Sequence, residues 1–332
     1  MMEKVAILGD GAWGTALAMV LAERGAAVIQ WAHSAELAEE IQATRENRRY
    51  LPGHRLPDGI TVSAEPTCFE HADLIVSAVP SRYLREVLTG LADHCQRGRP
   101  FISATKGLEF PSLTRPTAVL AEVLGPRPLA VLSGPSHAEE VAQRMPTAVV
   151  AASDDPGLAL RVQDLFTTDR FRVYTSDDPT GVEYGGALKN VLSIAGGMVD
   201  GLGFGDNTKA ALLTRGQAEM ARLGVALGGR GETLGGLSGM GDLVVSCVSR
   251  HGRNRAVGEG VGRGRSLDDV LADIPGVPEG VTTAKAVVEL AEANDVDLPI
   301  CREIHAVLYG GKAPLAAVRD LMTRQQKDEV NA

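Results

Sequence analysis

The run Val5-Ala6-Ile7-Leu8-Gly9-Asp10-Gly11-Ala12-Trp13-Gly14 constrains the fold more than any other stretch of the chain. Four apolar residues suit a strand covered on both faces, and Thr15–Leu21 that follows is rich in good helix formers. Three glycines fill the turn between them, each with a separate job. Gly9 permits the tight reversal, Gly11 lets backbone amides approach a pyrophosphate, and Gly14 lets the helix pack closely on the sheet. The first turn of the helix then offers free N–H groups and a positive dipole end to phosphate. A glycine-rich turn proves little by itself, but strand before and helix after is the context that a dinucleotide site requires.

Further strands are expected at Ala26–Trp31, Ile60–Val62, Leu74–Val79, Phe101–Thr105, Leu129–Leu132, Ala148–Ala152 and Phe171–Tyr174, with a helix over Ala35–Arg48. Strands alternating with helices predict an α/β fold, a Rossmann-type doubly wound and mostly parallel sheet. Ligands of such sheets bind beyond the carboxyl ends of the strands. Gly9–Gly14, His33, Lys106 and Gly134–Ser136 all fall at that edge. After about Asp178 the pattern changes to helical spacing over Val182–Val199, Ala210–Leu227, Thr282–Asn294 and Ile300–Leu308. The expected division is therefore 1–178 for a nucleotide-binding domain and 179–332 for an all-helical substrate domain. NAD-specific folds place an acidic residue at the end of the second strand, on the ribose 2′-OH. Here Ala32, His33 and Ser34 follow Trp31, which leaves room for a 2′-phosphate beside His33 and points to NADPH as an accepted cofactor alongside NADH. Alternatively, Ser34 caps the next helix and His33 is merely exposed.

A chain of 332 residues, 44% hydrophobic but only 4% aromatic, must build its core from Val, Ala, Leu and Gly. Its net charge of −9 argues against a nucleic-acid partner and requires local Arg and Lys to capture an anionic substrate. Cys68, Cys95, Cys247 and Cys301 lie far apart, and no spacing suits zinc or iron, so no metal is expected. With no leader-like N-terminus and no long apolar run, the expectation is a cytoplasmic protein that does not enter a membrane. Its partner would be a small molecule, and self-association as a homodimer is compatible with the chain.

Three segments in the second half suggest chemistry. Lys189 sits among the small and apolar residues of Gly185–Leu192, where an amine either snorkels to water or is desolvated. A desolvated amine near another cation such as Lys106 can exchange protons near neutral pH, as carbonyl reduction by a nicotinamide requires. Asp242, with Ser246 one turn on, either orients that ammonium or caps a helix. In Arg250–Arg255, Arg253 and Asn254 suit a phosphate dianion and Gly252 frees a backbone N–H, although a short basic run is more often a solvated surface. Cys247 reads as a packed thiol.

In these motifs, taken in order, the chain resembles the bacterial-type NAD(P)-dependent sn-glycerol-3-phosphate dehydrogenases. The likeness runs from Val5 to about Ala317 through Gly9–Ala18, Tyr50–Gly53, Thr105–Glu109, Leu132–Ser136, Ala187–Asn190, Gly239–Leu243, Arg253–Arg255 and Val277–Gly280. It implies a Rossmann domain joined to a helical domain of the 6-phosphogluconate dehydrogenase type. It implies reversible reduction of dihydroxyacetone phosphate to sn-glycerol 3-phosphate for phospholipid synthesis, with NADP(H) or NAD(H) as cofactor. Lys189 would be the acid/base residue. Lys106, Gly134, Ser136, Lys189, Asp242, Gly252, Arg253 and Asn254 would hold the substrate. Gly9, Gly11, Ala12, Trp13, Gly14, His33, Lys106, Ala138, Arg253, Val277 and Glu279 would line the cofactor. Two departures stand out: the family usually has Phe at position 137, here His137, and commonly a serine at Gly252. The fold also permits a 2-ketoacid or 3-hydroxyacid dehydrogenase, or a non-catalytic dinucleotide sensor.

Overall fold

The computed structural model describes residues 2–329 except 275 and 327. Its sheet contains β1 (Lys4–Leu8), β2 (Ala27–Trp31), β3 (Ile60–Ser63), β4 (Leu74–Ser77), β5 (Phe101–Ser103), β6 (Leu129–Ser133), β7 (Thr147–Ala152) and β8 (Phe171–Ser176). They lie in the order β3-β2-β1-β4-β5-β6-β7-β8. All neighbours run parallel except β6 and β7, so the β7–β8 pair points the other way. Val5–Leu8 are buried throughout, as expected of a strand covered on both faces. Around the sheet lie α1 (Ala12–Glu23), α2 (Ala35–Thr44), α3 (Ser81–Leu91), α4 (Pro116–Leu124), α5 (Ala138–Ala142) and α6 (Pro156–Phe166).

Every strand read from the sequence is present, and the differences at the ends have visible causes. β4 stops at Ser77 and β5 at Ser103, two residues early, because beyond them the loops are tied by a side chain: Thr105 Oγ1 donates to Val79 O at 2.7 Å. α2 ends at Thr44, short of Arg48, because Arg45 takes the left-handed conformation (φ 55°) and its guanidinium donates to Ile60 O. That early stop matters to the site, since it turns Asn47 back toward the glycine turn.

Beyond β8 the elements of the described residues are all helical: α7 (Pro179–Gly201), α8 (Asp206–Ala226), α9 (Gly231–Leu234), α10 (Asp242–Val248), α11 (Arg253–Gly262), α12 (Leu267–Asp273), α13 (Glu279–Ala293), α14 (Pro299–Tyr309) and α15 (Pro314–Met322). Asp178 caps α7, its Oδ1 accepting from Gly181 N. α7 is the mast of this half, buried from Gly181 to Val199. Glycines allow its neighbours to touch backbone to backbone: a Cβ on Gly197 would stand 1.9 Å from Arg255 O, and one on Gly258 would stand 1.8 Å from Ile194 O. The N-terminal half of α7 also meets the sheet, Val182 clustering with Val131, Val150 and Ala152. Lys189 is thereby carried to the edge where β5 and β6 end. Among the described residues no helix is long and apolar enough to cross a membrane.

Candidate active site

Two polar amides hold the glycine turn from behind. Gln30 Nε2 donates to Gly9 O (3.1 Å) and Thr15 Oγ1 (2.9 Å), and Asn47 Nδ2 donates to Asp10 O (2.7 Å) and Thr15 Oγ1 (2.8 Å). Both side chains are fully buried. The glycines behave as the sequence suggests. A Cβ on Gly14 would lie 2.4 Å from Gly9 O, whereas one on Gly11 would meet nothing within 4 Å. Gly11 is the N-cap of α1 and no side chain caps the helix, so its dipole end faces that open space with no competing side-chain acceptor. These residues fit the pyrophosphate of a dinucleotide.

His33 follows β2, as expected, but the edge it occupies is not free of carboxylate. Asp10 reaches over from the glycine turn, its Oδ2 accepting from His33 N at 3.1 Å and facing His33 Nδ1 at 2.5 Å. A scan of the residues after Trp31 misses this acid because it arrives from the preceding turn.

At the other end of the crevice Asp242 bridges two lysines from different halves of the chain. Its Oδ2 accepts from Lys106 Nζ at 2.9 Å, and its Oδ1 lies 3.2 Å from Lys189 Nζ. Lys189 also donates to Ser246 Oγ at 2.8 Å. Lys106 donates further to Gly134 O (2.7 Å) and Ser136 Oγ (3.1 Å). Lys189 does not snorkel: only 7% of it is exposed. Desolvation pulls its pKa below the usual lysine value, the nearby Lys106 charge pulls the same way, and Asp242 opposes both. Burial alone would push the Asp242 carboxyl up, but the two ammoniums hold it below the ordinary aspartate value. A π-helical turn at Leu237–Gly241 leads into α10 and delivers Asp242 to this point.

The remaining candidates take mixed places. Trp13 lies under Lys106, whose Nζ is 5.7 Å from the indole centroid, and Trp13 Nε1 is buried without a partner among the described residues. Position 134 favours glycine on two counts: its φ is 142°, and a Cβ there would come within 2.9 Å of Val149 Cα. Ala138 is buried at the start of α5, and Val277 lies two residues before α13. Glu279 opens α13 and joins the two halves, one carboxylate oxygen accepting from Ser81 N at 2.8 Å and the other from Ser81 Oγ at 2.5 Å. Burial raises its pKa, against the lowering effect of Ser81. Arg253 is exposed at the start of α11, with no hydrogen bond or ion pair among the described residues. The amide of Asn254 is largely engaged within the protein, Nδ2 donating to Asn190 Oδ1 and Oδ1 accepting from Gly280 N, both at 2.9 Å. Gly252 N points at Ser249 O across a long 3.5 Å. His137 stands across the crevice from His251, ring centroids 6.0 Å apart, and its Nε2 is buried without a partner among the described residues. Desolvation lowers its pKa, with Lys189 and Lys106 adding to the effect.

Residues 4–159 match the family model for the NAD-dependent glycerol-3-phosphate dehydrogenase N-terminus, and residues 178–319 match that for its C-terminus. The chain belongs to that family. A glycerol-3-phosphate dehydrogenase (NAD(P)+) of Chlorobium limicola is 50% identical over 330 residues, which span 98% of this chain and 99% of the relative. One from Lysinibacillus sphaericus is 48% identical over 334 residues, covering 99% of each. Among solved structures, the glycerol-3-phosphate dehydrogenase of Coxiella burnetii superposes with a TM-score of 0.93 at 38% identity, covering 97% of this chain and 99% of that one. A ketopantoate reductase from Ralstonia eutropha, TM-score 0.59 at 18% identity, shares the fold alone.

Several residues of this glycerol-3-phosphate dehydrogenase family member have roles that the sequence does not reveal. Gln30 and Asn47 fasten the glycine turn, and Asn190 fastens Asn254. Their only signal was a buried-looking amide inside an apolar run, as at Gln30 between Ile29 and Trp31.

Proposed function

We propose that this chain catalyses reversible NAD(P)H-dependent reduction of dihydroxyacetone phosphate to sn-glycerol 3-phosphate, with Lys189 exchanging the proton at the C2 oxygen. The observation that carries the reading is the Lys189–Asp242–Lys106 cluster at the carboxyl edge of the sheet, with Lys189 and Asp242 buried, in a chain of this family. The nicotinamide, when bound, supplies the hydride. Lys189, desolvated and held by Ser246 and Asp242, gives its proton to the developing alkoxide and in the reverse direction takes it back. Asp242 keeps both ammoniums oriented and limits how far the Lys189 pKa falls. Lys106 positions substrate hydroxyl and carbonyl groups together with Gly134 and Ser136. Arg253 takes the phosphate with its guanidinium fork, supported by Gly252 N–H and the remaining Asn254 amide hydrogen. Ala12, Trp13, Ala138, Val277 and Glu279 line the cofactor in this reading. Division at 178/179 then puts hydride donor and proton donor on different domains. Its product would feed glycerophospholipid synthesis in the cytoplasm.

The test is absorbance loss of NADH and of NADPH with dihydroxyacetone phosphate. Turnover with that substrate, competitively inhibited by inorganic phosphate, is the expected result. Turnover with 2-ketoacids instead, or cofactor binding without turnover, would overturn it.

A further inference from the structure

The contact between Asp10 and His33 serves neither the substrate cluster nor the phosphate turn. Asp10 occupies the position between the first two glycines, and its carboxylate is turned away from α1 toward the end of β2. There it holds the His33 N–H at 3.1 Å and stands 2.5 Å from His33 Nδ1. The arrangement is rigid. Asn47, fully buried, binds the Asp10 carbonyl, and Gln30 binds the carbonyl of Gly9 beside it. The Asp10 side chain is 13% exposed, so its carboxylate still reaches solvent at that edge.

In a doubly wound sheet this edge meets the ribose of the adenosine half of a dinucleotide. A 2′-hydroxyl needs an acceptor there, which a carboxylate supplies. A 2′-phosphate needs donors and positive charge. Both His33 donors, its N–H and Nδ1, already face Asp10, and the carboxylate adds charge of the phosphate's own sign. Of the cations that follow α2, Arg48 faces Glu46 at 3.4 Å and Arg49 lies over the ring of Tyr50.

We propose that Asp10 selects the cofactor, making this chain bind NADH in preference to NADPH. The proposal rests on the dinucleotide reading of the glycine turn, and it ranks the two cofactors that the sequence reading left side by side.

The experiment is a binding titration of the whole protein with NADH and NADPH, followed by tryptophan fluorescence or calorimetry without substrate. Wild type should bind NADH about tenfold more tightly, the order of magnitude that a like charge at this range is worth. Asp10→Asn keeps the shape and removes the charge; it should raise NADPH affinity about tenfold and change NADH affinity far less. A wild-type arm needs no variant: AMP should displace NADH at lower concentration than adenosine 2′,5′-bisphosphate. Equal affinities for the two cofactors, or for the two adenosine fragments, would overturn the proposal while leaving the dinucleotide site intact. Binding of neither cofactor would overturn that site as well.

Discussion

The glycine turn after β1 and the lysine pocket beside α7 line one crevice, and they are built from opposite materials. Around the turn, main-chain groups are set in place by neutral amides: Gln30 and Asn47 satisfy Gly9 and Asp10 from a dry interior. Beside α7, three charged side chains hold one another, two ammoniums sharing one carboxylate, with Lys189 and Asp242 buried and Lys106 partly so. The first device binds without needing to titrate. The second pays for burial with a depressed lysine pKa, which is what proton exchange near neutrality requires. Fixed backbone dipoles suit recognition, and a coupled charge cluster suits chemistry.

If that contrast is right, damage to each region should show in a different observable. Lys189→Ala should lower kcat by about 10²–10⁴-fold, the usual worth of a positioned acid, with the cofactor Kd nearly unchanged in a fluorescence titration. Normal turnover would remove Lys189 from the mechanism. Arg253→Ala should raise the KM for dihydroxyacetone phosphate about 10–100-fold through loss of a charge-assisted contact. An unchanged KM would place the phosphate elsewhere. Asn47→Ala should act in the reverse sense, weakening cofactor binding about 5–30-fold by freeing the Asp10 carbonyl, with kcat preserved once the protein is saturated. A fall in kcat alone would blur the division between the two regions.

The finest test is pH. Reduction needs Lys189 protonated, so its rate should fall as pH rises through the depressed lysine pKa, and oxidation should rise over the same interval. Asp242 raises that pKa, so Asp242→Asn should move both limbs toward lower pH. A limb that stays in place would separate the titrating group from the cluster.

The same contrast explains what could be read in advance. The strands, the glycine turn and the long helices follow from local periodicity and from residues that only a few backbone shapes accept. Lys189 stood out because an amine in an apolar helix has few reasons to be there. Asp10 did not, since its target at His33 lies 23 residues away and no local rule links them. Ser81 and Glu279, 198 residues apart, meet only because the fold closes the crevice over them. The engagement of the Asn254 amide by Asn190 and Gly280 was equally hidden, because it depends on how closely α11 and α13 approach α7.

That approach limits where the molecule can bend. With Gly197 under Arg255 O and Gly258 under Ile194 O, α7 and α11 cannot slide without steric collision, and Gly280 is pressed onto Asn190 in the same way. These three helices therefore form one locked block, with Lys189 held on α7 within it. Lys106 to Asp242 and Ser81 to Glu279 are among the bonds that join that block to the sheet at the crevice, where they work as clasps.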